Sequence, residues 1–144
     1  GTSMDGIHWN KDCEDLLETL EPLLMTCAAH YLVHEKQTSS PPSRVSVSST
    51  STIFHNPKPL DPVTRFHVGN GALVQDLFWK ANASSPKGWK ESWGIMVSYR
   101  YDLNALSENQ RAYHGHHNAT NATNTATKDY QIPVSHNIHP FLSS

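Results

Sequence analysis

Two polar stretches do most to limit what this chain can fold into. Across residues 37–59 Ser, Thr and Pro dominate, as in Ser39-Ser40-Pro41-Pro42-Ser43 and Ser48-Ser49-Thr50-Ser51-Thr52. Across residues 104–127 lie His114-Gly115-His116-His117 and then Asn118-Ala119-Thr120-Asn121-Ala122-Thr123-Asn124-Thr125. Neither stretch offers enough apolar surface to offset the entropy lost on ordering. The first reads as a flexible surface insertion, and the second opens a low-complexity tail, disordered over 104–144. That leaves residues 12–35 and 63–101 to build a core. Of 144 residues, 37% are hydrophobic, and the mean hydropathy of −0.54 is low for a chain packed throughout. The expectation is one domain, or part of one, over residues 1–103.

Residues 12–35 carry helical periodicity. Leu16, Leu17 and Leu20 recur at helix spacing, and Leu23, Leu24, Cys27, Ala28, Tyr31 and Leu32 continue it. Pro22 interrupts the pattern, and proline fits the first turn of a helix rather than its interior. A second helix starting near Pro22, or a kink there, is expected. Val63-Thr64-Arg65-Phe66-His67-Val68 is β-branched and aromatic, which suits a strand. Gly69-Asn70-Gly71 follows, and Asn-Gly signals a tight hairpin because both positions tolerate positive φ. Ala72 to Trp79 reads as the return strand and Lys80 to Glu91 as a polar loop. From Ser92 to Tyr101 the chain alternates, with Trp93, Ile95, Val97, Tyr99 and Tyr101 on one face. The fold class expected is α+β (α/β): a helix or helix pair followed by an antiparallel three-stranded meander.

Several functions are excluded or disfavoured. A net charge of −2 and a pI near 6.6 leave no basic footprint for nucleic acid. No run of eighteen apolar residues is present to span a membrane. Gly1 to Trp9 shows no basic region followed by an apolar run, so no signal peptide is read there, and the segment reads as a cut end. Cys13 and Cys27 are too few for a disulfide framework and lack zinc-site spacing. They read as reduced thiols on a helix. The Asn-x-Ser/Thr matches at Asn82, Asn118 and Asn121 follow from local composition. The His-Gly-His-His run offers adventitious metal affinity and no designed metal site.

Two groups of residues are candidates for chemistry. His67 stands beside the expected turn, and strand alternation would place it with Val63 and Arg65. Imidazole changes charge near neutral pH, which suits proton traffic, although a lone strand histidine is by default structural. Tyr99-Arg100-Tyr101 places two tyrosines on one face of a strand. Such pairs are usually core residues with hydrogen-bonded tips.

As a block these residues become specific. Leu24-Met25-Thr26-Cys27-Ala28-Ala29-His30-Tyr31-Leu32, Glu35-Lys36, Asp61-Pro62-Val63 and Phe66-His67-Val68-Gly69-Asn70-Gly71-Ala72 follow one another in order. Gly94-Ile95-Met96-Val97-Ser98-Tyr99-Arg100-Tyr101 comes later, and Trp79 lies between. The set resembles the malonyl-CoA decarboxylase family over roughly residues 9 to 103. The resemblance implies the last part of a catalytic domain with the acetyltransferase (GNAT-like) fold. It implies conversion of malonyl-CoA to acetyl-CoA and CO₂ in fatty acid metabolism, with no metal or organic cofactor. The family's catalytic histidine falls on His67 and its strand tyrosine on Tyr101, a supporting hydrogen-bond donor.

The departures bear on activity. The family also uses a serine far upstream, before the cysteine-alanine helix, which this chain is expected to lack, so the chain is expected to be inactive alone. The insertion is longer than the family needs, Ser98 stands where the family often has Asn, and the Asn/Thr/His tail is without counterpart. The full-length enzyme is expected to be a homo-oligomer. Some members end in Ser-Lys-Leu, whereas this chain ends in Leu142-Ser143-Ser144. The compartment stays open among mitochondrion, peroxisome and cytoplasm. The alternative reading is a truncated or degenerate non-catalytic relic, or an interaction module. An acetyl-CoA-dependent transferase is weaker, since no Gly-rich pyrophosphate loop is present.

Overall fold

Capping and tertiary burial, more than local propensity, decide how this sequence folds. The structure, a computed structural model, describes residues 3–4, 7–8, 11–37, 58–114 and 131–143. Strands β1 (Ser3–Met4) and β2 (Ile7–His8) form a short antiparallel pair. Helix α1 (Lys11–Val33) follows as one element of 23 residues. Asp12 and Glu14 in its first turn and His30 in its last match the helix dipole. Leu17, Met25, Ala29 and Leu32 form its buried stripe, at spacings of a helical face. Pro22 lies inside this single helix, so the expected second helix does not form. Pro22 is exposed; the backbone bond it cannot make is therefore lost on the solvent side, where water can replace it.

The ends of the Ser/Thr/Pro-rich stretch are tied together. Lys36 and Pro59 form an isolated antiparallel bridge. Gln37 N donates to Lys58 O at 2.9 Å and Leu60 N to Glu35 O at 2.9 Å. Pro59 is fully buried. The flexible insertion read over 37–59 thus has ordered ends, and its middle, residues 38–57, lies outside the described residues.

The segment read as the first strand is a helix, α2 (Pro62–Gly69). Its N-cap is Asp61, whose Oδ2 accepts from Thr64 N at 2.6 Å, and Pro62 occupies the first helical turn. That cap and the preset proline φ outweigh the β-branched composition of Val63 to Val68. Asn-Gly ends this helix instead of turning a hairpin. Asn70 is the C-cap, and Gly71 follows at φ +90. Gly71 N donates to Val68 O at 2.9 Å and Ala72 N to His67 O at 3.0 Å, which satisfies carbonyls left open by the last turn.

Strand β3 (Leu73–Phe78) pairs antiparallel with β4 (Met96–Arg100), Leu73 opposite Arg100 and Phe78 opposite Met96. The register shifts between Val74 and Asp76. The three-stranded meander is therefore corrected to a two-stranded sheet, because its intended first strand is α2. The polar loop between the strands holds helix α3 (Pro86–Ser92), capped by Ser85 Oγ accepting from Gly88 N at 3.2 Å. Trp93 at φ 55 and Gly94 at φ +72 form the turn into β4, so the alternation expected from Ser92 begins later.

The chain beyond Asp102 also departs from expectation. Helix α4 (Leu106–His114) packs on α2. Residues 131–143 run beside β3 and end in α5 (His139–Leu142), which packs on α1. Val74 N donates to Pro133 O and Ser135 N to Val74 O, each at 2.9 Å. The core is Ala29, Leu32, Val68, Val74, Tyr113, Ile132 and Ile138. Three of these seven, Tyr113, Ile132 and Ile138, come from the region read as a disordered tail. The Asn/Thr run and most of the His-Gly-His-His run lie outside the described residues.

Candidate functional site

Two periodicities meet at His67. On α2, Thr64 and His67 are one turn apart and share a face. On β4 and its immediate extension, Tyr99 and Tyr101 are two residues apart and share a face. His67 Nδ1 and Tyr101 Oη stand 2.9 Å apart, and which of the two donates depends on the imidazole tautomer. The His67 ring stacks on Tyr99, with centroids 4.3 Å apart and planes 16° apart. Phe66 meets the imidazole edge-on at 5.2 Å. His67 is half-buried and Tyr101 is 43% exposed, so the pair opens to solvent.

The tyrosine beneath the histidine is anchored in turn. Thr64 is fully buried, and its Oγ1 stands 2.7 Å from Tyr99 Oη. Burial is the main influence on Tyr99 and pushes its hydroxyl up to about 12; the Thr64 bond works against this and the Asp61 charge adds to it. Tyr99 is therefore a neutral phenol throughout the physiological range.

The Phe66-to-Ala72 block has a structural explanation at each step. Asn70 Nδ2 donates to Phe66 O at 2.9 Å, across the last turn of α2. Asn109 Nδ2 of α4 donates to Gly71 O at 3.1 Å. A Cβ on Gly71 would stand 2.8 Å from Leu106 Cγ and from Leu106 O, so the α2 terminus packs on α4 only with glycine there. Ala72 is fully buried. The block thus fixes the end of the helix that carries His67.

The structure joins both residues selected from the sequence, His67 and Tyr101, although it puts His67 on a helix. Val63 is exposed, and Arg65 Nη1 donates to Pro59 O at 3.2 Å. Sequence reasoning missed Thr64 and treated Tyr99 as core only. Asp61-Pro62, a helix-start signal, would have placed Thr64 on the histidine's face. Among the described residues no group of three or more His, Cys, Asp or Glu could hold a metal ion. No helix among them is long and apolar enough to cross a membrane. A separate apolar cleft of about 510 Å³ lies between α1 (Leu24, Ala28, Tyr31) and the chain at Trp93, Met96 and Val97. His67, Tyr99 and Tyr101 do not line it.

A helix-borne imidazole thus stacks on one phenol and lies within hydrogen-bond distance of a second, in a mixed helix-and-sheet fold. The sequence profile of the malonyl-CoA decarboxylase C-terminal domain matches residues 2–137, and the chain belongs to this family. It is 36% identical over 111 residues to the mitochondrial malonyl-CoA decarboxylase of Rattus norvegicus, a match covering 77% of this chain and 18% of the rat protein. The fold is similar to the crystal structure of malonyl-CoA decarboxylase from Rhodopseudomonas palustris, with a TM-score of 0.61 and 27% identity over 94% of this chain and 24% of that one. The enzyme from Cupriavidus metallidurans gives a TM-score of 0.57 and 31% identity over 84% of this chain and 22% of that one. The chain spans about a fifth of the length of the curated relative.

Proposed function

We propose that this chain is the part of a malonyl-CoA decarboxylase that supplies the proton donor, with His67 as acid and Tyr101 holding it. The observation that carries this reading is the 2.9 Å contact between two residues 34 positions apart, on different elements. Loss of CO₂ from a malonyl thioester leaves an enolate, which needs its oxyanion stabilised and its carbon protonated. In the imidazolium form, His67 Nδ1–H donates to Tyr101 Oη, and Nε2–H is the proton to give. After transfer to carbon the ring is neutral with Nδ1–H unchanged, so the contact to Tyr101 persists through the step. A positioned acid of this kind contributes roughly 10²–10⁴-fold. The acetyltransferase-like setting, the thioester-orienting serine and most of the CoA site belong, on this reading, to parts of the family fold outside this chain.

The test is a chimera in which this chain replaces the matched portion of the Rhodopseudomonas palustris enzyme, assayed for CO₂ release from malonyl-CoA. The chain alone is expected to be inert and the chimera active, with His67→Ala reducing its turnover by about 100-fold or more. A folded chimera that releases no CO₂, with a cooperative melt like that of the parent, removes the decarboxylase reading. A non-catalytic interaction module would then account for the chain.

A further inference from the structure

We infer that Tyr99 is a positioning residue of this site: with its hydroxyl pinned by Thr64, its ring face sets the plane of the His67 imidazole. The inference takes His67 as the reacting group on the reading above; its geometric part stands independently.

A histidine on a short helix has no fixed ring plane of its own. Rotation about χ1 and χ2 leaves an imidazole several orientations, and a single contact at Nδ1 fixes a point rather than a plane. Tyr101 is 43% exposed and meets the imidazole edge-on, with centroids 6.0 Å apart, so it offers the ring no flat surface. The flat surface comes from Tyr99, stacked at 4.3 Å and 16°. Packing against the core restrains this phenol from turning about the Cβ–Cγ axis, on which its hydroxyl lies, but the side chain could still swing about χ1 or shift along the strand. The bond from Tyr99 Oη to Thr64 Oγ1 at 2.7 Å prevents this, and Thr64 is fully buried one turn before His67 on the same helix. Asp61 Oδ2 holds Thr64 N at 2.6 Å, which fixes that turn. The closed circuit runs Thr64 to Tyr99 through the hydroxyls, Tyr99 to His67 through the rings, and His67 back to Thr64 through α2. With the plane fixed and Nδ1 occupied by Tyr101, Nε2 is the nitrogen presented to a substrate. Because burial keeps Tyr99 protonated, its hydroxyl remains available for the Thr64 bond.

Two substitutions separate this role from plain packing. Tyr99→Phe keeps the flat ring and removes the pin; Tyr99→Leu keeps apolar bulk and removes the flat face. The primary measurement is ¹⁵N imidazole NMR of His67 in the full chain, at a pH where the ring is neutral. Wild type is expected to show two well-separated nitrogen resonances, the signature of one tautomer held in one environment. Tyr99→Leu is expected to draw the two resonances together, as in a rotating ring that exchanges tautomers, and Tyr99→Phe to do so partly. Ile138→Val, a substitution in the core on which Tyr99 packs, is the control for stability loss and is expected to leave the His67 spectrum as in wild type.

In the active chimera, Tyr99→Leu is expected to lower kcat about tenfold or more, with KM changed by less than about twofold, because misplacing a reacting group costs turnover rather than binding. Tyr99→Phe should cost about threefold in kcat on the same ground. Thr64→Val combined with Tyr99→Phe should be no worse than Tyr99→Phe alone, since both remove one bond. A Tyr99→Leu spectrum indistinguishable from wild type overturns the inference. So does a collapse of the His67 resonances in Ile138→Val equal to that in Tyr99→Leu, since the effect would then be general loosening. Expected NMR behaviour with a folded but inert chimera supports the positioning role while removing the decarboxylase reading.

Discussion

Ile138→Ala tests whether the end of the chain belongs to the folded unit. Ile138 is fully buried and belongs to the core with Ala29 and Leu32 of α1 and Val74 of β3. Truncation to alanine removes three carbons; at roughly 0.8 kcal/mol per buried methylene this amounts to about 2.4 kcal/mol of transfer free energy. The cavity left behind adds to that, and substitutions of this kind cost about 2–5 kcal/mol. We expect about 3 kcal/mol, with Ile138→Val costing about 1 kcal/mol for its single carbon. His139→Ala, at the exposed neighbouring position, should stay within about 0.5 kcal/mol. The assay is urea unfolding of the full chain followed by the fluorescence of its 4 tryptophans. The midpoint should fall in the order His139→Ala, Ile138→Val, Ile138→Ala at constant slope. Against a total stability on the order of 5–15 kcal/mol the largest step is readily seen. If Ile138→Ala unfolds at the same midpoint as His139→Ala, residues 131–143 are not docked, and a solvated tail is the right description of them.

Three further substitutions probe the frame of the site. Asp61→Ala removes the side chain that caps α2 and should cost about 1 kcal/mol in the same unfolding assay, with Asp61→Asn recovering most of it. Pro22→Ala restores a backbone donor inside α1 at an exposed position and should stabilise the chain, by up to about 3 kcal/mol; a lower unfolding midpoint would mean that the helix is not continuous there. Tyr99→Phe should flatten the alkaline limb of the stability curve. The Tyr99 hydroxyl rises from the usual 10 to about 12 on folding. Its contribution is therefore complete below about pH 10, declines as the unfolded state alone ionises, and is gone once pH passes the folded value. Two units correspond to about 2.7 kcal/mol; because the ring is only part-buried, solvent screening reduces this to about 1 kcal/mol. Equal losses in wild type and Tyr99→Phe between these pH values would show that Tyr99 ionises alike in both states.

The sequence made α1 legible because its leucines recur at helical spacing, although Leu16, Leu23 and Tyr31 of that pattern are exposed and Met25 and Ala29 join Leu17 and Leu32 in the buried stripe. It made β4 legible because Val97, Tyr99 and Tyr101 alternate. The end of the chain was not legible for a physical reason. Ile132, Val134 and Ile138 fall at even spacings, but Pro133, Ser135, His136 and Asn137 among them leave a stretch too polar and proline-marked to read as a strand. Their burial comes from lying against β3 and α1, which local composition cannot register. Compositional bias next door, in the Asn/Thr run, then lent its character to the whole stretch. For α2 the difficulty was a conflict of signals. Asp61-Pro62 marks a helix start and Val63-to-Val68 suits a strand; the cap and the proline prevailed, because in α2 Thr64 and Val68, one turn apart, both reach the buried side.

That conflict also decided how much of the site could be foreseen. Family resemblance picks out His67 and Tyr101 whatever element carries them, and the two do meet. Their surroundings depend on the element. In a strand, His67 would share its face with Val63 and Arg65, while Thr64 would point away, and nothing would connect that threonine to the histidine. In a helix, residues 64 and 67 come onto one face, and a strand with tyrosines at 99 and 101 can answer both: one phenol to the threonine, the next to the imidazole. The spacing of three on the helix and two on the strand makes Tyr99 both a partner of Thr64 and a platform for His67. Misassigning that one element therefore leaves the two family-matched residues in view while hiding Thr64 as the partner of Tyr99. Changes at Asp61 or Pro62 that unwind the first turn of α2 would carry Thr64 away from Tyr99 and so disturb the site without touching His67.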